Sequence, residues 1–220
     1  TSVNAKIIMD TGIFVDTGKI EKYACGLYVR RGSKMHQRDI FYIVLGYLSG
    51  SILFARLGGL LFKRRDITQE GHDRNPGTAN AFLYGGFRCG VFALCGDLLK
   101  GFLPVFLYIS GRPEATHTLA LSFVLAAPVL GHIFPFYAPS RGGKGIAATF
   151  GCLLGLLPDA LPLAILAATF LFFSLVVRID PNYYRTLATY SVTAVLVTCF
   201  EPNRYVVFGF LLVAVPVTIK

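Results

Sequence analysis

The chain has 220 residues, of which 54% are hydrophobic and only 15% charged, with a mean hydropathy of +0.60. A soluble domain carries about a quarter charged residues, so this composition excludes an ordinary soluble enzyme and indicates an integral membrane protein. The net charge of +9 then belongs to cytoplasmic loops and anionic lipid headgroups, and no nucleic-acid partner is expected.

Tryptophan is absent, which leaves tyrosine to supply any interfacial belt. The five cysteines, Cys25, Cys89, Cys95, Cys152 and Cys199, include no Cys-x-x-Cys pair and lie mostly in apolar runs. They read as small hydrophobes, with no metal, no cofactor and no disulfide expected.

Residues 1–40 differ from the rest and form a separate polar and basic segment. Two Asp-Thr-Gly triplets, at Asp10 and Asp16, lie six residues apart and read as turns, because an aspartic protease needs one triplet in each of two distant lobes. The segment lacks the shape of a signal peptide. A small hairpin, a disordered leader and an arbitrary chain boundary all remain open. Arg30, Arg31, Lys34 and Arg38 form a basic collar before the first apolar run.

From residue 41 onward the expectation is an all-α polytopic membrane domain with about seven transmembrane helices, since a span needs about 20 apolar residues. Phe41 to Phe62 is the first. Gly46 and Gly50, like Ala55 and Gly59, sit one helical turn apart and permit close helix approach. Arg56 within this run is either functional or reaches the interface, and the two readings stand equal.

A polar interval follows, Lys63 to Arg88, centred on His72-Asp73-Arg74-Asn75-Pro76-Gly77-Thr78-Ala79-Asn80. Its amides, hydroxyl and glycine offer compact donors suited to phosphate or polyol oxygens, although Asn-Pro-Gly is also an ordinary turn. The second span, Cys89 to Ser110, contains Asp97 and Lys100, which can pair on one helix face and whose pairing is compatible with a purely structural role.

Leu119 to Tyr137 is the third span. It delivers His132 to Ser140-Arg141-Gly142-Gly143-Lys144-Gly145, which leads into Ile146. Glycines around a lysine make a phosphate cradle, because backbone N–H groups converge where no Cβ intervenes and the following helix adds its positive end. A nucleotide P-loop is excluded, since Lys144 is followed by Gly145 and Ile146 instead of Ser or Thr. The plain alternative is a flexible loop with a snorkelling lysine.

Ile146 to Leu157, Ala160 to Val177, Leu187 to Phe200 and Tyr205 to Ile219 complete the expected spans. Seven spans put the basic intervals Lys63 to Arg88, Arg141 to Lys144 and Arg178 to Arg185 on one side, which the positive-inside rule makes cytoplasmic. The same count places the N-terminus outside, in conflict with the basic collar.

Four ordered stretches, Ser49-Gly50-Ser51-Ile52, Asn75 to Asn80, Asp97-Leu98-Leu99-Lys100-Gly101, and Gly131-His132 through Gly142-Gly143-Lys144-Gly145, resemble the bacterial membrane acyl-phosphate:glycerol-3-phosphate acyltransferase family, commonly called PlsY. The resemblance implies seven helices with catalytic loops at the cytosolic face of the bacterial inner membrane. It also implies acyl transfer from acyl-phosphate to the 1-hydroxyl of glycerol 3-phosphate, giving lysophosphatidic acid and phosphate by a monomer in the bilayer.

On that basis Lys144, Ser51, His132 and Asn75 are the expected catalytic residues. Gly142, Gly143, Gly145, Gly77, Thr78, Asn80, Asp73, Arg74 and Lys100 are the expected phosphate-binding residues, and no general base is evident. The second motif departs from the family pattern. Asp73-Arg74 precede Asn75, Thr78-Ala79 are swapped, Leu83 stands where the family has arginine, and Thr68 also occupies a common arginine position. Lys220 falls about where family members continue into a His- and Asn-containing tail.

Two rival readings are weaker. The His-x-x-x-x-Asp acyltransferases are disfavoured because His36, His72, His117 and His132 all lack the aspartate. A small transporter would need polar residues along a path across the bilayer, whereas here they gather near one face.

Overall fold

Why this chain forms helices, and where they stop, is visible at the first one. In the computed structural model, which describes residues 35–63, 65–67 and 75–220, helix α1 (Gln37–Gly50) begins where the Asp39 carboxylate accepts the His36 N–H at 2.9 Å. This contact satisfies a donor that the first turn would otherwise leave open. The helix breaks at Ser51-Ile52-Leu53 and resumes as α2 (Phe54–Lys63). The two Asp-Thr-Gly triplets, the collar residues Arg30, Arg31 and Lys34, and Thr68, His72, Asp73 and Arg74 lie outside the described residues.

The other helices are α3 (Thr78–Gly85), α4 (Phe87–Ile109), α5 (Leu119–Ile133), α6 (Ile146–Leu154), α7 (Leu161–Leu171), α8 (Asn182–Phe200) and α9 (Arg204–Ile219). Short 3₁₀ turns lie at Pro113–His117 and Pro139–Arg141, and α7 continues into a π-helical turn at Phe172–Val176. Among the described residues there is no strand. Met35 to Lys220 form one unit.

Each of the seven intervals expected to span contains a helix. Among the described residues, however, only Gln37–Lys63 and Phe87–Ile109 are both long and apolar enough to cross a membrane. Leu119–Ile133, Leu161–Val176 and Arg204–Ile219 are apolar but shorter. The third expected span, α5, stops at Ile133 and not at Tyr137 because Phe134 precedes Pro135, and a residue before proline is driven out of the helical region. The polar interval after α2 is not wholly a loop, since α3 occupies its second half.

Helix α5 is the central pillar: twelve of its fifteen residues are buried. Its Leu121, Val124 and Val129 share the core with Val105 of α4, Tyr190 of α8 and Phe210 of α9. A smaller cluster of Ala55, Ile67, Ala81, Cys89 and Ala93 ties α2, α3 and α4 together. Outside, large apolar side chains face away from the core, including Leu61, Leu171, Val195 and Phe87, the last 77% exposed. Such an apolar perimeter is that of a membrane-associated fold.

Two contacts between helix backbones set the geometry of the site. A Cβ on Gly50 would overlap the Pro128 carbonyl oxygen, and one on Gly101 would overlap that of Ala148. Glycine at these positions lets α1 close on α5, and α4 on α6, more tightly than side chains would allow. Arg38 fastens the far end of α4 by donating from Nη2 to the Tyr108 carbonyl at 2.9 Å.

Candidate active site

The break between α1 and α2 releases the Ile52 carbonyl from helical bonding, and the Lys100 ammonium donates to it at 2.7 Å. The same Nζ lies 2.8 Å from Asp97 Oδ1 and 2.6 Å from His132 Nδ1. Asp97 Oδ1 is in turn 3.6 Å from His132 Nδ1. The side chains of Asp97 and Lys100 are 1% and 2% exposed, and His132 is as deeply buried, so this is a dry cluster of three polar side chains.

Lysine is a pure donor as the ammonium, and its three protons are matched here by Asp97, the Ile52 carbonyl and His132 Nδ1. His132 Nδ1 therefore accepts, which assigns the proton of the neutral imidazole to Nε2. That Nε2 faces the glycine loop: a Cβ on Gly143 would collide with it and would also meet Asn75 Oδ1 at 3.0 Å. The histidine thus presents a donor to the space where the glycine loop and the Asn75 stretch meet.

Both stretches run into helix N-termini. Gly77 is the N-cap of α3 and Gly145 the N-cap of α6, the latter at φ +80°, a left-handed conformation that favours glycine. The open N–H groups of a first helical turn and the helix dipole favour an anion at each end. Asn80 closes the first stretch by donating from Nδ2 to the Asn75 carbonyl at 2.9 Å. Thr78 Oγ1 reaches within 3.5 Å of Asp97 Oδ2, the outer limit of a hydrogen bond.

In the glycine loop the Gly143 N–H donates to the His132 carbonyl at 3.1 Å, so this amide fixes the loop and is not open to phosphate. Gly142 packs on the end of α5, where a Cβ would overlap the Ile133 carbonyl oxygen. The N–H groups of Gly142, Lys144 and Gly145 have no partner among the described residues. Lys144 itself is half-buried and makes no ion pair with a described residue.

Ser51 is buried, donates to the Tyr47 carbonyl at 2.9 Å and accepts the Phe136 N–H at 3.3 Å. It holds the loop after α5 against the helix break. Tyr47 acts similarly, donating to the Phe134 carbonyl at 2.8 Å.

Of the expected site residues, Lys100, His132, Asn75, Gly77, Thr78, Asn80 and the glycine loop adjoin one another around this cluster. Ser51 is one helical break away, and Asp73 and Arg74 fall outside the described residues. Arg56 is held by Asp66, Nε to Oδ2 at 3.0 Å, apart from the cluster. Sequence reasoning left Asp97 out of the site, yet it is the hub, touching Lys100, His132 and Thr78. The available signal was an ionisable pair within an apolar run. The contributions of the Ile52 carbonyl and Tyr47 had no sequence signal.

The model of the family described as glycerol-3-phosphate acyltransferase matches residues 40–220. Relatives carrying that name include proteins of Legionella pneumophila strain Philadelphia 1 (40% identical over 117 residues, 52% of this chain and 40% of the relative) and of Actinobacillus pleuropneumoniae serotype 5b (38% over 117 residues, 53% and 56%). A third, from Pseudomonas paraeruginosa, is 39% identical over 121 residues, 55% of this chain and 62% of the relative. The chain spans about half the length of the relatives it matches.

Among solved structures, PlsY, an integral membrane glycerol 3-phosphate acyltransferase, in its glycerol 3-phosphate form shares the fold. The TM-score is 0.66 at 21% identity, covering 83% of this chain and 87% of that one. Its lysophosphatidic acid form aligns with a TM-score of 0.64. With the family model matched from residue 40 to residue 220, this chain belongs to the PlsY-type glycerol-3-phosphate acyltransferase family, with a divergent second motif.

Proposed function

We propose that the chain transfers an acyl group from an acyl-phosphate to the 1-hydroxyl of glycerol 3-phosphate, releasing lysophosphatidic acid and inorganic phosphate. The observation that carries this reading is convergence. The Asn75 stretch, Asp97 with Lys100, His132, and the Gly142–Gly145 loop are distant in sequence and adjoin one another, with two helix N-termini beside an imidazole N–H.

An acyl-phosphate is a mixed anhydride with a good leaving group, so the protein's main task is to align the hydroxyl with the carbonyl and stabilise developing charge. The hydroxyl oxygen bonds to the carbonyl carbon, the carbon–oxygen bond to phosphate breaks, and the hydroxyl proton leaves with the phosphate. In this reading Lys144, with the N–H groups of Gly142 and Gly145, which have no partner among the described residues, holds one phosphate. Gly77, Thr78 and Asn80 at the start of α3, with Asn75, Asp73 and Arg74, hold the other polar group.

His132 Nε2–H donates to the oxyanion or the departing phosphate. Lys100, itself held by Asp97, fixes its tautomer, and Ser51 positions the neighbouring loop. No side chain is assigned as general base, in keeping with an Nε2 that already carries its proton.

The remaining parts of the reading are a seven-span monomer in the bacterial inner membrane, with both phosphate loops at the cytosolic face and residues 1–40 as a separate leading segment. The basic intervals around Lys63 to Arg88, Arg141 to Lys144 and Arg178 to Arg185 support that orientation.

The test is acyl transfer by the purified chain in lipid from palmitoyl-phosphate, comparing glycerol 3-phosphate with glycerol. Lys144→Ala is expected to lower kcat/KM for glycerol 3-phosphate by about 10²–10³-fold, the effect of losing one electrostatic donor. Its unfolding temperature should be unchanged, because Lys144 has no ion pair with a described residue to lose. Absence of product from the wild-type chain would overturn the proposal. Equal use of glycerol would overturn the acceptor, the element that the missing arginine at Leu83 bears on most.

A further inference from the structure

The start of α6 is held from within the bundle by residues that the acyl-transfer chemistry itself does not touch. Thr149, buried at the end of the first turn after the glycine loop, donates from Oγ1 to the Gly145 carbonyl at 2.9 Å. Its N–H donates to the same carbonyl, also at 2.9 Å. Two donors on one oxygen leave that carbonyl little freedom to turn. Because a peptide unit is planar and trans, fixing the Gly145 carbonyl also fixes the Ile146 N–H, which points the opposite way. That N–H is the first of the donors at the positive end of α6.

A threonine bonded to the carbonyl four residues back is common in helices, and alone it would mark nothing. What singles this one out is Tyr190. This tyrosine of α8 is fully buried, and its ring stacks on Phe210 of α9 with centroids 5.9 Å apart and planes at 10°. Its hydroxyl has no hydrogen-bond partner among the described residues, and the polar side chains it meets are Thr149 and Cys152, both on α6. A buried hydroxyl left unbonded carries a desolvation penalty, which a bond to an acceptor relieves. The two neighbours differ as acceptors. Sulfur is a weak one, whereas Thr149 Oγ1, its single proton already given to Gly145, keeps lone pairs with which to accept.

We infer that Tyr190 is a positioning residue for the glycine loop. Its hydroxyl donates to Thr149 Oγ1, Thr149 donates to the Gly145 carbonyl, and this relay aims the Ile146 N–H at the phosphate. Hydrogen bonds in such a chain polarise and strengthen one another where the surroundings are dry. The inference rests on the reading of the glycine loop as a phosphate site, so its test reads phosphate binding directly as well as turnover.

The purified chain, in a neutral maltoside detergent, is titrated with inorganic phosphate at fixed ionic strength, and the dissociation constant is taken from the rise in unfolding temperature. Acyl transfer is measured alongside. Tyr190→Phe removes one oxygen atom and keeps the ring on Phe210; it and Thr149→Val should each weaken phosphate binding by about three- to tenfold, the worth of one hydrogen bond, with kcat/KM falling in parallel. Thr149→Ser retains the hydroxyl and should bind phosphate as the wild type does. Because the two residues act in series, Tyr190→Phe combined with Thr149→Val should bind no more weakly than Thr149→Val alone. Thr189→Val is the control, since it removes an equally buried hydroxyl, without a partner among the described residues, from the adjacent position of α8. It should leave phosphate affinity unchanged.

Undiminished phosphate affinity in Tyr190→Phe, even with a lowered unfolding temperature, would overturn the inference and leave the contact purely structural. An additive loss in the double variant, an equal loss in Thr149→Ser and Thr149→Val, or a matching loss in Thr189→Val would overturn it too. Product formation keeps this separate from the proposed reaction. A wild type that binds phosphate but transfers no acyl group sinks the reaction, while the affinities still decide the relay. A wild type indifferent to phosphate overturns the relay.

Discussion

Lys100 is the residue on which the site's electrostatics turn. It neutralises Asp97, caps the Ile52 carbonyl and assigns the His132 tautomer, all within a nearly dry pocket. Buried ion pairs contribute modestly to stability when whole, but breaking one strands a charge at a cost of about 3–5 kcal/mol. Lys100→Met should therefore lower stability by about that amount, measured by thermal unfolding in detergent. Adding Asp97→Leu to Lys100→Met removes the stranded carboxylate and should restore most of the loss. Acyl transfer should stay low in both variants, because His132 no longer has the donor that fixes its Nε2 proton. Recovery of activity in the double variant would show that Lys100 serves folding alone.

The same logic of enforced proximity governs the helices. Where α4 crosses α6, Gly101 leaves no room for a methyl group beside the Ala148 carbonyl, so Gly101→Ala must push apart the helices that carry Lys100 and the glycine loop. Overpacking of this kind costs about 1–3 kcal/mol. Gly111 supplies the control. It has φ +71° and no described atom within 4 Å of where a Cβ would stand, so Gly111→Ala meets only backbone strain, about 1–2 kcal/mol. Gly101→Ala should lose activity as well as stability, and Gly111→Ala should lose stability without a matching loss of kcat/KM. Equal activity in the two variants would separate the α4–α6 crossing from catalysis.

At the scale of the whole molecule, the prediction concerns orientation. In a background with all five cysteines replaced, the proposed orientation predicts that Arg112→Cys reacts with a membrane-impermeant maleimide applied outside intact cells, and that Ser140→Cys reacts only after the membrane is disrupted. Both positions are exposed and lie at opposite ends of α5. Labelling of both from the same side would reject a spanning α5. The reverse pattern would invert the orientation and agree with the basic collar at Arg30 to Arg38 instead.

Composition, the positions of the apolar runs and the glycine, asparagine and histidine motifs are local properties, and the sequence by itself determined them. Hydropathy over some twenty residues and the residue types of a phosphate cradle need no partner to be read. What only the tertiary structure decided is which groups meet and which are already engaged. The bond from Lys100 to the Ile52 carbonyl joins residues 48 positions apart, and that from Lys100 to His132 joins residues 32 apart. Neither separation leaves a periodicity in the chain. The same reason accounts for Asp97 as hub, for the Gly143 N–H being used to anchor the loop, and for the helix break that frees a carbonyl. Each arises because burial in a dry interior penalises a polar group left without a partner, and here the fold supplies that partner from elsewhere in the chain.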